Sequence, residues 1–310
     1  MQRWTRLNAP ALNIINILSN TIAQLDFRYP GGLPQFRRGS QIIVVSDYAT
    51  AKAARSSIYS FLITDAYSLS QWKNSRPRLA MGSRRFEYKK MNDRIKLRKF
   101  PSFLDHCNQL NGVVVNFVVD ASIRSIISPV AGEFSHFKKI TQLDHLEDHV
   151  AERLARISIF LGLLAGGFSH PGSDVLWVSD DDEILANDDH IVRSRAALMN
   201  ILSVVVPHDM GQLNYSVQSK FRLITEIQDM GSICDLCCGF LNANLSAGIA
   251  LLAPVPKMKD RLMASFVSSS GNGLRKLHLG MRRSAQGKID GYRLVLRPPW
   301  DIGVTQPRGF

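Results

Sequence analysis

Three carboxylates stand where an apolar run begins or ends. Asp47 and Asp180 each follow a short run of strand length, QIIVVS and VLWVS, and Asp235 opens the segment DLCCGFL. A carboxylate at the end of a buried strand is costly to desolvate unless positive charge meets it. Several such groups brought together would suit a hard divalent cation, Mg2+ or Mn2+, which takes oxygen ligands and keeps part of its water shell. The chain is strongly basic, with 38 Lys and Arg against 26 Asp and Glu and a formal charge of +12. An acidic metal site on so basic a chain points to phosphodiesters, and so to nucleic acid, DNA or RNA, as substrate and partner.

The positive charge is clustered. Residues 72–99 contain many Lys and Arg and only Glu87 and Asp93 as acids, and residues 257–297 repeat the bias. Arg84, Arg85, Lys89 and Lys90 are therefore expected to contact the phosphate backbone, with Lys89 near the scissile phosphate. Trp72, Phe86, Tyr88 and Phe100 interleave with these charges. Such aromatics either stack on unpaired bases or belong to the core.

The elements that must position these groups follow from composition and pattern. With 310 residues, 45% hydrophobic and 21% charged, the chain is ordinary for a globular protein and long enough to bury a full core. Its longest apolar stretch, residues 157–168, is shorter than the roughly 20 residues a membrane span needs. The opening residues MQRWTR lack the apolar segment of a secretory signal, so a cytoplasmic location is expected. Cys107, Cys234, Cys237 and Cys238 have the spacing of neither a zinc site nor a disulfide framework and are expected to be small buried apolar groups.

The periodicities predict a helix over 11–25, strands over 41–46 and 57–64, a short third strand near 84–88, a helix over 92–110 and a strand over 112–119 ending in Asp120. They continue with a long helix over 143–164, a strand over 175–179, a helix over 193–205 and a buried helix over 231–245. After Pro207 the pattern weakens, and the tail beyond Arg297, rich in Pro and Gly, is expected to be disordered. Three antiparallel strands followed by alternating helices and parallel strands imply an α/β fold: a mixed five-stranded sheet flanked by helices.

That order resembles the RNase H-like superfamily. Ser46-Asp47-Tyr48 matches the strand-end aspartate that bridges the metals in that superfamily. Ser232-Ile-Cys-Asp235-Leu-Cys-Cys-Gly239 resembles the late helix of a little-characterised prokaryotic branch, with an Ala-Asp-Leu motif followed by small residues and a Gly. Phe86-Glu87-Tyr88-Lys89 is similar to that branch's Glu-x-Lys, and Asp120 and Asp180 fit its two later strand ends. Tyr48-Ala49-Thr50 departs from the acidic residue and Ser-Gly that usually follow the first aspartate, and Cys234 replaces the usual Ala. The resemblance implies an RNase H-like domain over 41–250, between a helical extension (1–40) and a basic C-terminal extension (251–310), either of which could dock a protein partner or a second copy. It also implies a nuclease in which Asp47, Glu87, Asp120, Asp180 and Asp235 are catalytic. Asp47, Asp120, Asp180 and Asp235 would bind metal in a two-metal hydrolysis of the phosphodiester bond.

Each assignment has a plainer competitor. Asp47 could cap a following helix, Asp235 could offset a helix dipole, and Glu87 could form a surface salt bridge with its basic neighbours. Asp120 and Asp180 compete for one role: strand order favours Asp120, because the fourth strand lies beside the first in this fold, and the acidic run 180–183 favours Asp180. Asp65 with Glu87 and Lys89 resembles a restriction-endonuclease-like core. Residues 175–182, a strand followed by Asp-x-Asp, resemble the metal motif of nucleotide-sugar glycosyltransferases. A catalytically degenerate nucleic-acid-binding subunit of a larger complex is the non-enzymatic reading.

Overall fold

The computed structural model describes residues 3–10, 12–29, 31–50, 56–75, 85–91, 93–127, 131–180, 188–245, 257–269, 273–297 and 301–305. The chain is an α/β protein. In chain order its regular elements are α1 (Asn13–Arg28), β1 (Ile42–Thr50), β2 (Ser56–Asp65), α2 (Ala66–Ser75), α3 (Arg94–Cys107), β3 (Gly112–Asp120), α4 (Ala131–Ile140), α5 (Asp148–Phe168), β4 (Val175–Ser179), α6 (Asp188–Val205), β5 (Leu213–Val217), α7 (Thr225–Leu245), α8 (Met258–Ser268), β6 (Leu274–Arg283), β7 (Ile289–Arg297) and β8 (Asp301–Thr305). The strands form one mixed sheet in the order β5-β4-β1-β2-β3-β6-β7-β8.

The sheet is covered on both faces, and the sequences of its central strands say why. In β1, Ile42 and Val44 join a core shared with α1, α5 and α6, whereas Ile43 and Val45 join a second core shared with α3, α7 and α8. A strand with apolar side chains in both alternating positions must lie between two layers. The runs FLI in β2 and VVV in β3 obey the same rule, and every one of those residues is buried.

Helix α1 spends its apolar face inside this assembly. Ile14, Ile15, Leu18 and Ile22 are all at or below 3% exposure, so that face is not open to an external partner. Residues of the basic segment 251–310 supply α8 and strands β6 to β8 of the same sheet, with β6 parallel to β3.

Four expectations are corrected. Among the described residues the sheet has eight strands, not five. The third strand is Gly112–Asp120, antiparallel to β2. Arg84 lies outside the described residues, and Arg85 to Lys90 form an irregular stretch closed by a short 3-10 turn. The place beside β2 goes to GVVVNFVV, which can be buried on both faces, whereas a segment carrying Arg84, Arg85 and Glu87 cannot. The tail expected to be disordered contains β8, antiparallel to β7. The fourth strand, β4, lies parallel beside β1, so the strand end next to Asp47 is Asp180 and not Asp120. No helix among the described residues is long and apolar enough to cross a membrane.

Candidate active site

Asp47 and Asp180 are adjacent because β1 and β4 run parallel in a register that pairs Ser46 with Ser179. The next residue of each strand is the aspartate, and the Asp180 N–H donates to the Ser46 carbonyl at 3.1 Å. Neighbouring strands are about 4.8 Å apart, so the two carboxylates start from adjacent backbone positions at the same end of the sheet.

Helix α7 brings the third carboxylate over this end of the sheet. It packs close to the sheet because its sheet-facing residues are small. The Cys234 thiol donates to the Val45 carbonyl at 3.3 Å, and the Cys238 thiol donates to the Asp47 carbonyl at 3.1 Å. All four cysteines are free and buried. Burial, with negative neighbours, raises the Cys234 and Cys238 thiols well above the usual range. They serve as spacers and donors, as buried thiols do.

Asp235 lies on the same helix, one turn beyond Gly231, and its Oδ2 accepts the Tyr88 backbone N–H at 2.6 Å. The stretch 85–90 crosses above it. Phe86 anchors that stretch by stacking on Phe103 with centroids 4.3 Å apart. The Arg85 carbonyl accepts from Lys96 Nζ at 3.2 Å on α3, a helix whose start is capped by Asp93. Gly239 makes the crossing possible, since a Cβ there would lie 2.6 Å from the Tyr88 ring.

Arg85 enters the space between the acids. Its Nη1 lies 3.2 Å from Asp180 Oδ1, and its Nη2 lies 3.4 Å from Asp47 Oδ2 and 3.1 Å from the Gly231 carbonyl. Its buried Nε has no hydrogen-bond partner. One guanidinium thus faces three carboxylates. Burial first, then the charges of Asp180 and Asp235, push the Asp47 carboxyl well above the usual carboxylate range, and Arg85 opposes them only in part. Burial also raises Asp235, against the opposing pull of the Tyr88 N–H and Arg85. For Arg85, burial alone would lower the pKa, but Asp180 and Asp47 outweigh it and hold the group charged.

Glu87 borders the cluster. Its charge contributes to the upward shift of Asp235, but its own carboxylate pairs with Lys90 at 2.8 Å, as the salt-bridge alternative anticipated. Lys89 is exposed. Two expected members lie elsewhere. Asp120 is two strands across and four residues along from the register of Asp47, about 16 Å away by strand geometry. Its carboxylate accepts the Ser122 N–H. Asp65 lies at the far end of β2, about 17 Å from Asp47. It is spent there on the N–H groups of Ser68 and Arg37 at 2.9 and 2.8 Å. Asp181, Asp182 and Glu183 lie outside the described residues. Trp72, Phe86, Tyr88 and Phe100 are all buried, which removes them as stacking platforms for bases.

One neighbour escaped the sequence reading. Gln218 follows β5, at the same sheet end as Asp180, and is 1% exposed. Its Nε2 donates to the Ser46 carbonyl at 3.4 Å, and its Oε1 abuts Gly231, where a Cβ would lie 2.2 Å away. Nothing in the weak pattern after Pro207 could have shown it.

Among the described residues no group of three or more His, Cys, Asp or Glu is arranged to hold a metal ion as the side chains stand. Arg85 occupies the gap between Asp47 and Asp180. The donor set is nevertheless chemically suited to a hard cation: carboxylate oxygens alone, mutually repelling, with less positive charge among them than negative. Comparisons with protein-family models, with curated proteins and with solved structures found no match.

Proposed function

We propose that this protein is a divalent-metal-dependent nuclease with an RNase H-like core, in which Asp47, Asp180 and Asp235 hold Mg2+ or Mn2+ and Glu87 lies beside them. The observation that carries this reading is the meeting of three carboxylates from distant parts of the chain at one end of the β1–β4 pair. The suborder β5-β4-β1-β2-β3, with β1 to β3 antiparallel and β4 parallel beside β1, supports the fold assignment. A cytoplasmic location belongs to the same reading.

Metal held there would activate a water and stabilise the leaving oxygen of a phosphodiester. The chain's own residues do the rest. Asp47, the most buried of the three acids, is the central ligand, and Asp180 and Asp235 flank it. Arg85 balances their charge. Lys89, Lys90 and the basic side chains at the start of α3 surround the site with positive charge that attracts a polyanion.

One observation favours a second reading, a degenerate nucleic-acid-binding subunit: Arg85 bridges Asp47 and Asp180 where a cation would sit. Incubating DNA, RNA and hybrid oligonucleotides with the protein and Mg2+ or Mn2+ separates the two. Nuclease activity lowered at least 100-fold by Asp47→Asn, Asp180→Asn and Asp235→Asn supports the first. Salt-dependent binding without metal-dependent cleavage supports the second. Cleavage that survives Asp235→Asn refutes the site assignment.

A further inference from the structure

Tyr88 is held from three sides. Its backbone N–H donates to Asp235 Oδ2 at 2.6 Å, its hydroxyl donates to Asp260 Oδ1 at 2.7 Å, and its carbonyl accepts from Lys259 Nζ at 3.2 Å. The same ammonium lies over the Tyr88 ring, 4.2 Å from its centroid. Asp260 is buried, and Asp260 and Lys259 both come from α8. Asn244 at the end of α7 also contacts the phenol, and Gly239 leaves room for the ring.

A buried carboxylate that accepts a short bond from a phenol fixes that ring more firmly than apolar packing alone, because breaking the bond strands two buried polar groups. Fixing the ring fixes the backbone of residue 88, and with it the donor that orients Asp235. We propose that Asp260 is a positioning residue: through Tyr88 it sets the orientation of Asp235, so that α8 completes a site whose acids come from β1, β4 and α7. This rests on the nuclease reading only where metal is concerned, since the linkage from Asp260 to Asp235 is a property of the chain itself.

The test uses the full chain with Asp260→Ala, Asp260→Asn and Tyr88→Phe. Asparagine keeps an acceptor for the phenol and alanine does not. The first measurement is amide hydrogen exchange at Tyr88, without metal. Exchange at least tenfold faster in Asp260→Ala and Tyr88→Phe, and restored to within about threefold of wild type in Asp260→Asn, is the expected result. Unchanged protection in Asp260→Ala and Tyr88→Phe overturns the proposal. The second measurement is Mn2+ affinity by calorimetry, expected to weaken about tenfold in the same two variants and to recover in Asp260→Asn. A purely structural role would lower the melting temperature and leave Mn2+ affinity unchanged well below it, which would also overturn the proposal. If wild-type protein takes no Mn2+ while Tyr88 exchange responds as expected, the metal reading fails and the positioning role of Asp260 stands.

Discussion

Replacing Arg85 by Met keeps much of the side-chain stem and removes the charge, which isolates the electrostatic role of the guanidinium. Its nitrogens lie 3.2 and 3.4 Å from Asp180 and Asp47. At charge separations near 4 Å and an effective dielectric of about 20, each attraction is worth about 4 kcal/mol. Asp47 and Asp180, neighbours across β1 and β4, would repel by about 3 kcal/mol at a separation near 5 Å. Three effects reduce the gross loss. The guanidinium no longer has to be desolvated, Asp180 is one-third exposed and so partly screened, and Asp47 can take up a proton. A net destabilisation of about 3 kcal/mol remains, at the low end for breaking a buried pair. The sign of its pH dependence follows from Asp47. Its carboxyl is already raised and Arg85 is among the groups holding it down, so the variant raises it further. A raised carboxyl contributes stability below its unfolded pKa and loses it as pH rises through the folded value. The deficit of Arg85→Met should therefore grow with pH, smaller at pH 5 than at pH 8. Urea unfolding at both pH values measures it, and adding Asp47→Asn should restore most of the loss at pH 8. A variant within about 0.5 kcal/mol of wild type at pH 8, or one that Asp47→Asn does not rescue, would refute the view that Arg85 is the counter-charge of this cluster.

Other consequences follow from the same geometry. Asp120→Asn should leave metal-dependent cleavage within about twofold of wild type, whereas Asp180→Asn should abolish it; equal effects in a steady-state assay would contradict the choice between the two strand ends. His278 bonds Asn116 through Nδ1 and the Val267 carbonyl through Nε2, and burial lowers its pKa to about 4. It stays neutral in the folded chain while the unfolded chain takes up a proton below about pH 6.5, so stability should fall by about 3 kcal/mol as pH drops from 6.5 to 4. Denaturant titrations of His278→Gln should show a shallower acid limb. Gly239→Ala pushes a methyl to 2.6 Å from the Tyr88 ring and should cost about 1–3 kcal/mol in stability and weaken Mn2+ binding. The four cysteines, all buried, should resist a maleimide in the native state and react fully in denaturant; rapid native labelling of Cys238 would argue against the close packing of α7 on β1.

Legibility in the sequence followed the range of the interaction. The apolar runs of β1, β2, β3 and β4 could be read directly, because a strand buried on both faces needs little beyond its own composition. Helices α5 and α7 announced themselves through period and small residues. Among the missed elements, β5 (LNYSV) and β6 (LRKLHLGMRR) mix polar and apolar residues, and only their neighbours make them strands. The reading of 84–88 as a strand failed for the converse reason: its alternation suits an edge, but β3 took that edge.

Of the candidate acids, the sequence alone could single out Asp47 and Asp235, because a carboxylate adjoining an apolar run is a local anomaly. It could not choose between Asp120 and Asp180, because that choice depends on which strand pairs with β1. Nor could it say that Asp65 is consumed by a helix start, that Arg85 faces inward while Lys89 faces out, or that Asp260 reaches Asp235 through Tyr88. Those are decisions of tertiary structure: strand pairing and helix docking fix distances between groups far apart in the chain, and electrostatics and hydrogen bonding depend on distance, not on position along it.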